Sequence, residues 1–208
     1  MLHYRTIRPA TLGILKQLMS IPELGAFALA GGTALALRYG HRESIDLDLF
    51  SATHFENETI TSILEREFSS FQYRGTHSAI GVFAHINEVK IDMIDYSRYK
   101  LIGDVEDMDG IRILSSKDLI AMKVNAVLRR AVKKDFWDIA ELLHHYSMND
   151  FIEFYTQKYP TKMLLITVPA AISYFDEAHD SEAPVSFKGQ TWASVQAFIQ
   201  KQVRDFLI

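Results

Sequence analysis

The sequence predicts an α/β fold: a small mixed sheet interleaved with helices over residues 1–110, then a helical half over 111–208. Three observations carry this. Apolar and polar residues alternate in SIDLDLF (44–50) and in GVFAHINEVKIDMIDY (81–96), the period-two pattern of strands. Apolar residues recur at helical spacing in 9–19, 58–67 and 134–146. Beyond Asp104 strand signals largely disappear and helical ones take over, as in SSKDLIAMKVNAVLRR (115–130) and 192–207.

Each element follows from local chemistry. Leu12, Leu15, Leu18 and Met19 place a helix from Pro9 to Met19. Phe27 to Ala30 is a short apolar strand that stops at Gly31-Gly32, and Thr33 to Arg38 resumes with helix formers. The next strand holds Asp46 and Asp48, with Ser44, Asp46, Asp48 and Phe50 on one face and Ile45, Leu47 and Leu49 on the buried one. ETITSILERE (58–67) is an amphipathic helix. Two strands follow, joined at Asn87-Glu88, where Asn tolerates the positive φ of a tight turn. DVEDMDG (104–110) reads as a solvated acidic connection. Ser115 and Asp118 stand at capping-box spacing and mark a helix start.

Composition narrows the function. At 208 residues and 48% hydrophobic, the chain can bury a full core. A net charge of -4 argues against bulk electrostatic binding of nucleic acid and leaves room only for a local basic patch. The lack of cysteine excludes disulfides, thiolate metal sites and cysteine nucleophiles, and fits a reducing cytoplasm. MLHYRTIRPATLG lacks the pattern of a signal peptide, and the most apolar stretches are about half a membrane span, so no membrane association is expected.

Two aspartates on one strand face lie about 7 Å apart and repel unless a cation sits between them. Hard oxygen ligands of this kind suit Mg²⁺ together with substrate phosphates; the alternative is a pair that caps a loop or meets Arg38 or Arg42. Gly31 and Gly32 open a helix where backbone N–H groups can approach an anion, although glycine pairs there also serve tight packing. Asp92 sits between Ile91 and Met93 in a neighbouring strand and is the candidate third carboxylate, with Asp95 on the opposite face near the strand end. Lys123 interrupts the apolar row Leu119, Lys123, Val127, where its amine must reach either solvent or an anion across a cleft. Asp135 and Asp138 lie on one flank of the helix in KKDFWDIAELL and read, on residue types alone, as a solvated acidic edge. Arg129, Arg130, Lys133 and Lys134 form either a solvated face or a contact for acceptor phosphates. Arg42, two residues before Ser44, is a candidate for bidentate hydrogen bonding to a triphosphate.

AGGT, SIDLDLF and VKIDM, in this order and spacing, resemble the signature of the DNA-polymerase-β-like nucleotidyltransferases. GGTALAL, then GHR and SIDLDLF, then a lysine-bearing helix and KDFWDIAELL resemble the AbiEii/AbiGii-type abortive-infection toxins over roughly residues 20 to 150. The sequence has Gly32-Thr33 where many superfamily members have Gly-Ser. The resemblance implies a polymerase-β-like core, with the helical half completing the cleft. It implies an Mg²⁺-dependent transfer of a nucleoside monophosphate from a nucleoside triphosphate to an acceptor, in some relatives the 3′ end of tRNA, and a cognate antitoxin as partner. A small-molecule acceptor of antibiotic type, or nucleotide binding without catalysis, are the alternatives. On this reading Asp46, Asp48 and Asp92 hold the metal, Asp92 also serving as base. Gly31, Gly32, Thr33, Arg42 and Ser44 receive the phosphates, Lys123 offsets their charge, and Asp138 orients nucleotide or lysine, with Asp135 supporting it.

Overall fold

A computed structural model describes residues 1–74, 78–161 and 165–208. Helix α1 (Pro9–Ser20) begins at a proline, whose missing N–H costs nothing in a first turn, and buries Ile14, Leu15, Leu18 and Met19. Strand β1 (Phe27–Ala30) is buried throughout. Helix α2 (Gly31–Tyr39) starts directly from it and ends at Gly40, whose φ of +67° supplies the left-handed C-cap. Strand β2 (Leu47–Ser51), helix α3 (Asn57–Glu67) and strand β3 (Phe71–Tyr73) follow, then β4 (Gly81–Ile86) and β5 (Val89–Asp95). Asn87 and Glu88 at φ 47° and 67° form the expected tight turn between β4 and β5.

The acidic segment is not a loop. Glu106–Met108 forms strand β6 and pairs antiparallel with β7 (Ile111–Ile113). Asp109 and Gly110, both at positive φ (54° and 76°), make the turn between them. The sheet therefore runs past residue 110, and β7 adds to β1 in parallel at Leu29↔Ile113.

Among the described residues the strands form one seven-stranded sheet in the order β3-β4-β5-β2-β1-β7-β6. Two pairings position the site. β1 and β2 are antiparallel, setting Ala30 opposite Asp48, and β2 and β5 are parallel, setting Asp48 beside Asp92 and Phe50 beside Ile94. Leu47 and Leu49 are fully buried as expected, but Ile45 is 52% exposed. The strand starts only at Leu47, so the alternation does not reach Ile45.

The second half is helical: α4 (Ser116–Val127), α5 (Lys133–Leu142), α6 (Met148–Lys158), α7 (Val168–Ile172) and α8 (Trp192–Leu207). Ser115 caps α4 by accepting the Asp118 N–H, as its spacing predicts. Helices α4 and α5 pack on each other and on α2, which brings them over the glycine turn. Among the described residues no helix is long and apolar enough to cross a membrane.

Candidate active site

Gly31 follows β1 at φ +65°, and a β-carbon there would stand 2.2 Å from Asp48 Oδ2. A β-carbon on Gly32 would stand 2.2 Å from an Arg42 guanidinium nitrogen. Gly31 is thus favoured both by the turn and by the close approach of Asp48, and Gly32 by the close approach of the Arg42 guanidinium. The cavity they open, about 160 Å³, is walled by Ser44, Asp46 and Asp48 on one side and by Lys123, Arg130 and Lys134 on the other.

Neither arginine named as a partner for the aspartate pair serves that role. Arg38 bonds both oxygens of Glu106 and the Leu114 carbonyl. Arg42 donates Nε and one terminal nitrogen to the two oxygens of Asp138, at 2.7 and 2.8 Å, and another nitrogen to the Glu43 carbonyl. Its fork is therefore committed to a carboxylate, which corrects the expectation that it grips a triphosphate bidentately. Arg42 still lines the cavity as a fixed positive charge. Burial works to lower its pKa, but Asp138 reverses this, and the net shift is upward.

Asp48 has no ion pair among the described residues. Burial first, then the charge of the adjacent Asp92, push its carboxyl pKa up, against the pull of Lys90 and Lys123. Asp46 faces the same cavity with Lys134 Nζ at 3.7 Å. Asp92 is held by Arg74 and Lys90, each at 2.8 Å. The oxygen donors of Asp46 and Asp48 fit a hard divalent cation that keeps water and phosphate ligands. Among the described residues no three acidic or histidine groups stand close enough to share one ion. Asp92 fits as a third ligand only if Arg74 and Lys90 release it. Arg74→Ala removes one competitor, so the divalent-cation concentration giving half-maximal transfer is expected to fall severalfold; a metal titration of activity checks this.

Thr33 does not face the cavity. It is 1% exposed, and its hydroxyl bonds the Ser44 Oγ at 2.8 Å and donates to the Asp46 carbonyl. It fixes the segment carrying the aspartates to α2, which corrects its assignment to phosphate contact. Gly31, Gly32 and Ser44 remain at the cavity wall.

Asp135 and Asp138 are fully buried, not a solvated edge. Lys123 Nζ donates to Asp135 Oδ1 at 2.6 Å and reaches Asp138 Oδ2 at 2.7 Å. Two of its three ammonium protons are thus accounted for, leaving one for the cavity that Lys123 lines. Burial opposes its charge, but Asp135 and Asp138 raise its pKa overall. Asp138 is the hub. Burial disfavours its charge, yet Arg42 and Lys123 hold its carboxyl well below the usual range. His41 Nε2 adds a third contact at 2.7 Å. Among the described residues Asp138 does not line this cavity; its two oxygens hold Arg42 and Lys123, which do.

His41 and a C-terminal strap escaped the sequence reading. Glu43 N–H donates to the Val185 carbonyl and Phe187 N–H to the His41 carbonyl, so 185–187 lies like a strand along 41–43. Lys188 anchors this strap to Glu141 at 2.6 Å. The only sequence signal for His41 was the GHR triplet.

Residues 13–183 match the family described as nucleotidyl transferase AbiEii toxin, Type IV TA system. The chain belongs to this family. It is a nucleotidyltransferase of the AbiEii group by that membership. An uncharacterised protein of Aquifex aeolicus, aq_aa25, is 29% identical over 199 residues, covering 93% of this chain and 94% of its own. MenT4, the nucleotidyltransferase toxin Rv2826c of Mycobacterium tuberculosis H37Rv, superposes with a TM-score of 0.58 at 14% identity, over 93% of this chain and 81% of that one. JHP933 of Helicobacter pylori gives 0.54 at 14% identity, over 97% and 95%. At such identities these two share the fold with the AbiEii chain and nothing finer is drawn from them.

Proposed function

We propose that this AbiEii protein transfers a nucleoside monophosphate from a nucleoside triphosphate to a hydroxyl of RNA, in the tRNA 3′ end, with Mg²⁺ bound. The observation that carries this reading is the in-register pair Asp48–Asp92 beside a glycine turn into which no β-carbon fits.

Asp46 and Asp48 would hold the cation beside the triphosphate, and Asp92, now paired with Arg74 and Lys90, would be the third carboxylate available to it. When bound, Mg²⁺ supplies Lewis-acid stabilisation of the charge that develops on the phosphoryl oxygens. The acceptor hydroxyl oxygen forms a bond to the α-phosphorus while the bridging bond to the β-phosphate breaks, so pyrophosphate leaves. Asp92 takes the hydroxyl proton. The N–H groups at Gly31 and Gly32, the Ser44 hydroxyl, the remaining Lys123 proton and the fixed charge of Arg42 receive the phosphates. As in the family's toxin–antitoxin arrangement, the protein acts in the cytoplasm and a cognate antitoxin restrains it. The helices from α4 onward, after the last strand β7, are the unit that closes the cleft over the sheet.

The test is incubation with Mg²⁺, each α-labelled nucleoside triphosphate in turn, and total bacterial RNA, read on a denaturing gel. Label is expected in tRNA-sized bands and absent with Asp46→Ala. Label confined to small molecules in a cell extract would replace RNA by a low-molecular-weight acceptor.

A further inference from the structure

Two larger cavities flank the phosphate cavity and share its walls. One, of about 550 Å³, lies beyond Asp46 and is lined by Arg8, Glu43, Ile45, Lys134, Glu182 and Val185. Most of its cations are matched, Arg8 by Glu43 at 3.3 Å, Lys134 by Asp46 at 3.7 Å and Arg42 by Asp138 at 2.7 Å; Arg130 reaches its rim from the phosphate cavity. The other, of about 610 Å³, lies beyond Phe50 and continues over Tyr96 and Tyr99 to Arg98, Arg129 and Arg130. These volumes are in the range of real ligand sites.

The second cavity is unlike the rest of the surface. In a chain of net charge -4 it gathers three exposed arginines that form no ion pair among the described residues. Its one carboxylate, Asp95, is engaged by His54 and by the Ser97 N–H. The aromatic rings form a continuous row: Phe50 to Tyr96 at 5.0 Å between centroids, Tyr96 to Tyr99 at 4.8 Å. Unmatched arginines beside aromatic faces suit a ligand that is anionic along its backbone and planar in its side groups, which is single-stranded nucleic acid. The same charges repel an aminated small molecule.

Position agrees with chemistry. Phe50 and Ile94 are the next residues after Asp48 and Asp92 on the same sheet face, and they stand beside each other as the carboxylates do. The cavity floor thus begins about 7 Å along the strands from the carboxylate pair. Phe50, Met122 and Ala126 line both this cavity and the phosphate cavity, so a chain lying over Phe50 continues into the phosphate site.

We propose that the cavity over Phe50, Tyr96 and Tyr99 seats the unpaired 3′ end of the RNA acceptor, with Arg98, Arg129 and Arg130 on its phosphates. This rests on the nucleotidyl-transfer reading above and names the place where the acceptor lies.

The test measures binding of a fluorescent RNA hairpin with a four-nucleotide 3′ overhang and of a blunt hairpin of equal charge, across a range of salt. The Arg98→Ala/Arg129→Ala variant removes two exposed side chains that form no ion pair among the described residues, so its fold is expected to persist. Overhang binding by that variant is expected to weaken about tenfold, and its salt slope to drop by about 1.4, the value for two single-strand phosphate contacts. Mg²⁺-dependent affinity for each of the four nucleoside triphosphates stays within twofold. Equal binding of overhang and blunt RNA, an unchanged salt slope in the variant, or displacement by an acidic peptide of the same charge would overturn the proposal. Overhang binding that depends on the two arginines supports it even if no RNA is labelled by the wild-type protein, in which case the transfer reading fails by itself. RNA labelled equally by variant and wild type sinks the acceptor seat alone.

Discussion

Asp138→Ala is expected to lower stability by about 3–5 kcal/mol, the cost of removing one partner from a buried charge group. The carboxylate is fully buried and engages Arg42, Lys123 and His41. Alanine leaves Arg42 and Lys123 in the interior with only Asp135 between them, and Asp135 already has one buried oxygen without a partner. For a chain of this length that loss corresponds to a fall in Tm of roughly 10 °C. The pH dependence has a definite sign. The folded carboxyl titrates below its ordinary value of 3.8, so its stabilisation is fully present above that value and is lost only as pH falls through the lower folded pKa. Wild type and variant should therefore differ by a constant amount from neutral pH to about 4 and converge in stronger acid. Thermal melts across that range check both statements. Asp138→Asn keeps the size of the side chain and part of its hydrogen bonding and should fall between the two. At a temperature where the Ala variant is folded, KM for the nucleoside triphosphate should rise as Arg42 and Lys123 lose their placement, a change that a purely structural role would not give.

The aspartate strand, the glycine turn and the β4–β5 hairpin were legible because each is encoded within a few residues. Alternation set Asp48 on the face of β2 opposite Leu47 and Leu49, with Asp46 just before the strand on the same cavity, an Asn at the right place predicted positive φ, and Ser115 announced its helix. What was missed depends on partners distant in sequence or on competing local signals. Asp135 and Asp138 have the spacing of a solvated flank, and only the return of Arg42 and Lys123 to the same point makes their burial tolerable. Thr33 has the residue type of a phosphate contact, but Asp46 offers its hydroxyl a carbonyl at closer range. The β6–β7 hairpin carried a strong signal, Asp109-Gly110 before an apolar run, that was outweighed by the acidity of DVEDMDG. The acidic strand sits at the edge of the sheet, where its charges face solvent and discourage pairing with another chain. Arg42 was placed in the right neighbourhood with the wrong partner. A sequence shows that a guanidinium is near a site but not which carboxylate reaches it first.

Asp48→Asn is expected to abolish transfer while making the metal-free protein more stable, a combination that separates a site residue from a packing residue. Among the described residues Asp48 is the one carboxylate of the three with no ion pair, next in register to Asp92. Burial and the Asp92 charge raise its pKa above 3.8, so its contribution favours the fold below that value and is lost as pH rises through the folded pKa. At neutral pH the charged form is therefore a strain on the apo fold, and a neutral amide of the same shape relieves it. The Tm without metal should rise relative to wild type, and the gap should close as the solution is made acidic. Added Mg²⁺ should raise the Tm of wild type, by giving Asp48 the cation it lacks, and should have little effect on the Asn variant. Loss of a metal contribution of several kcal/mol corresponds to a fall in transfer on the order of 10³ or more. A variant that melts lower than wild type without metal, or that keeps both its Mg²⁺ response and its activity, would remove Asp48 from the metal site.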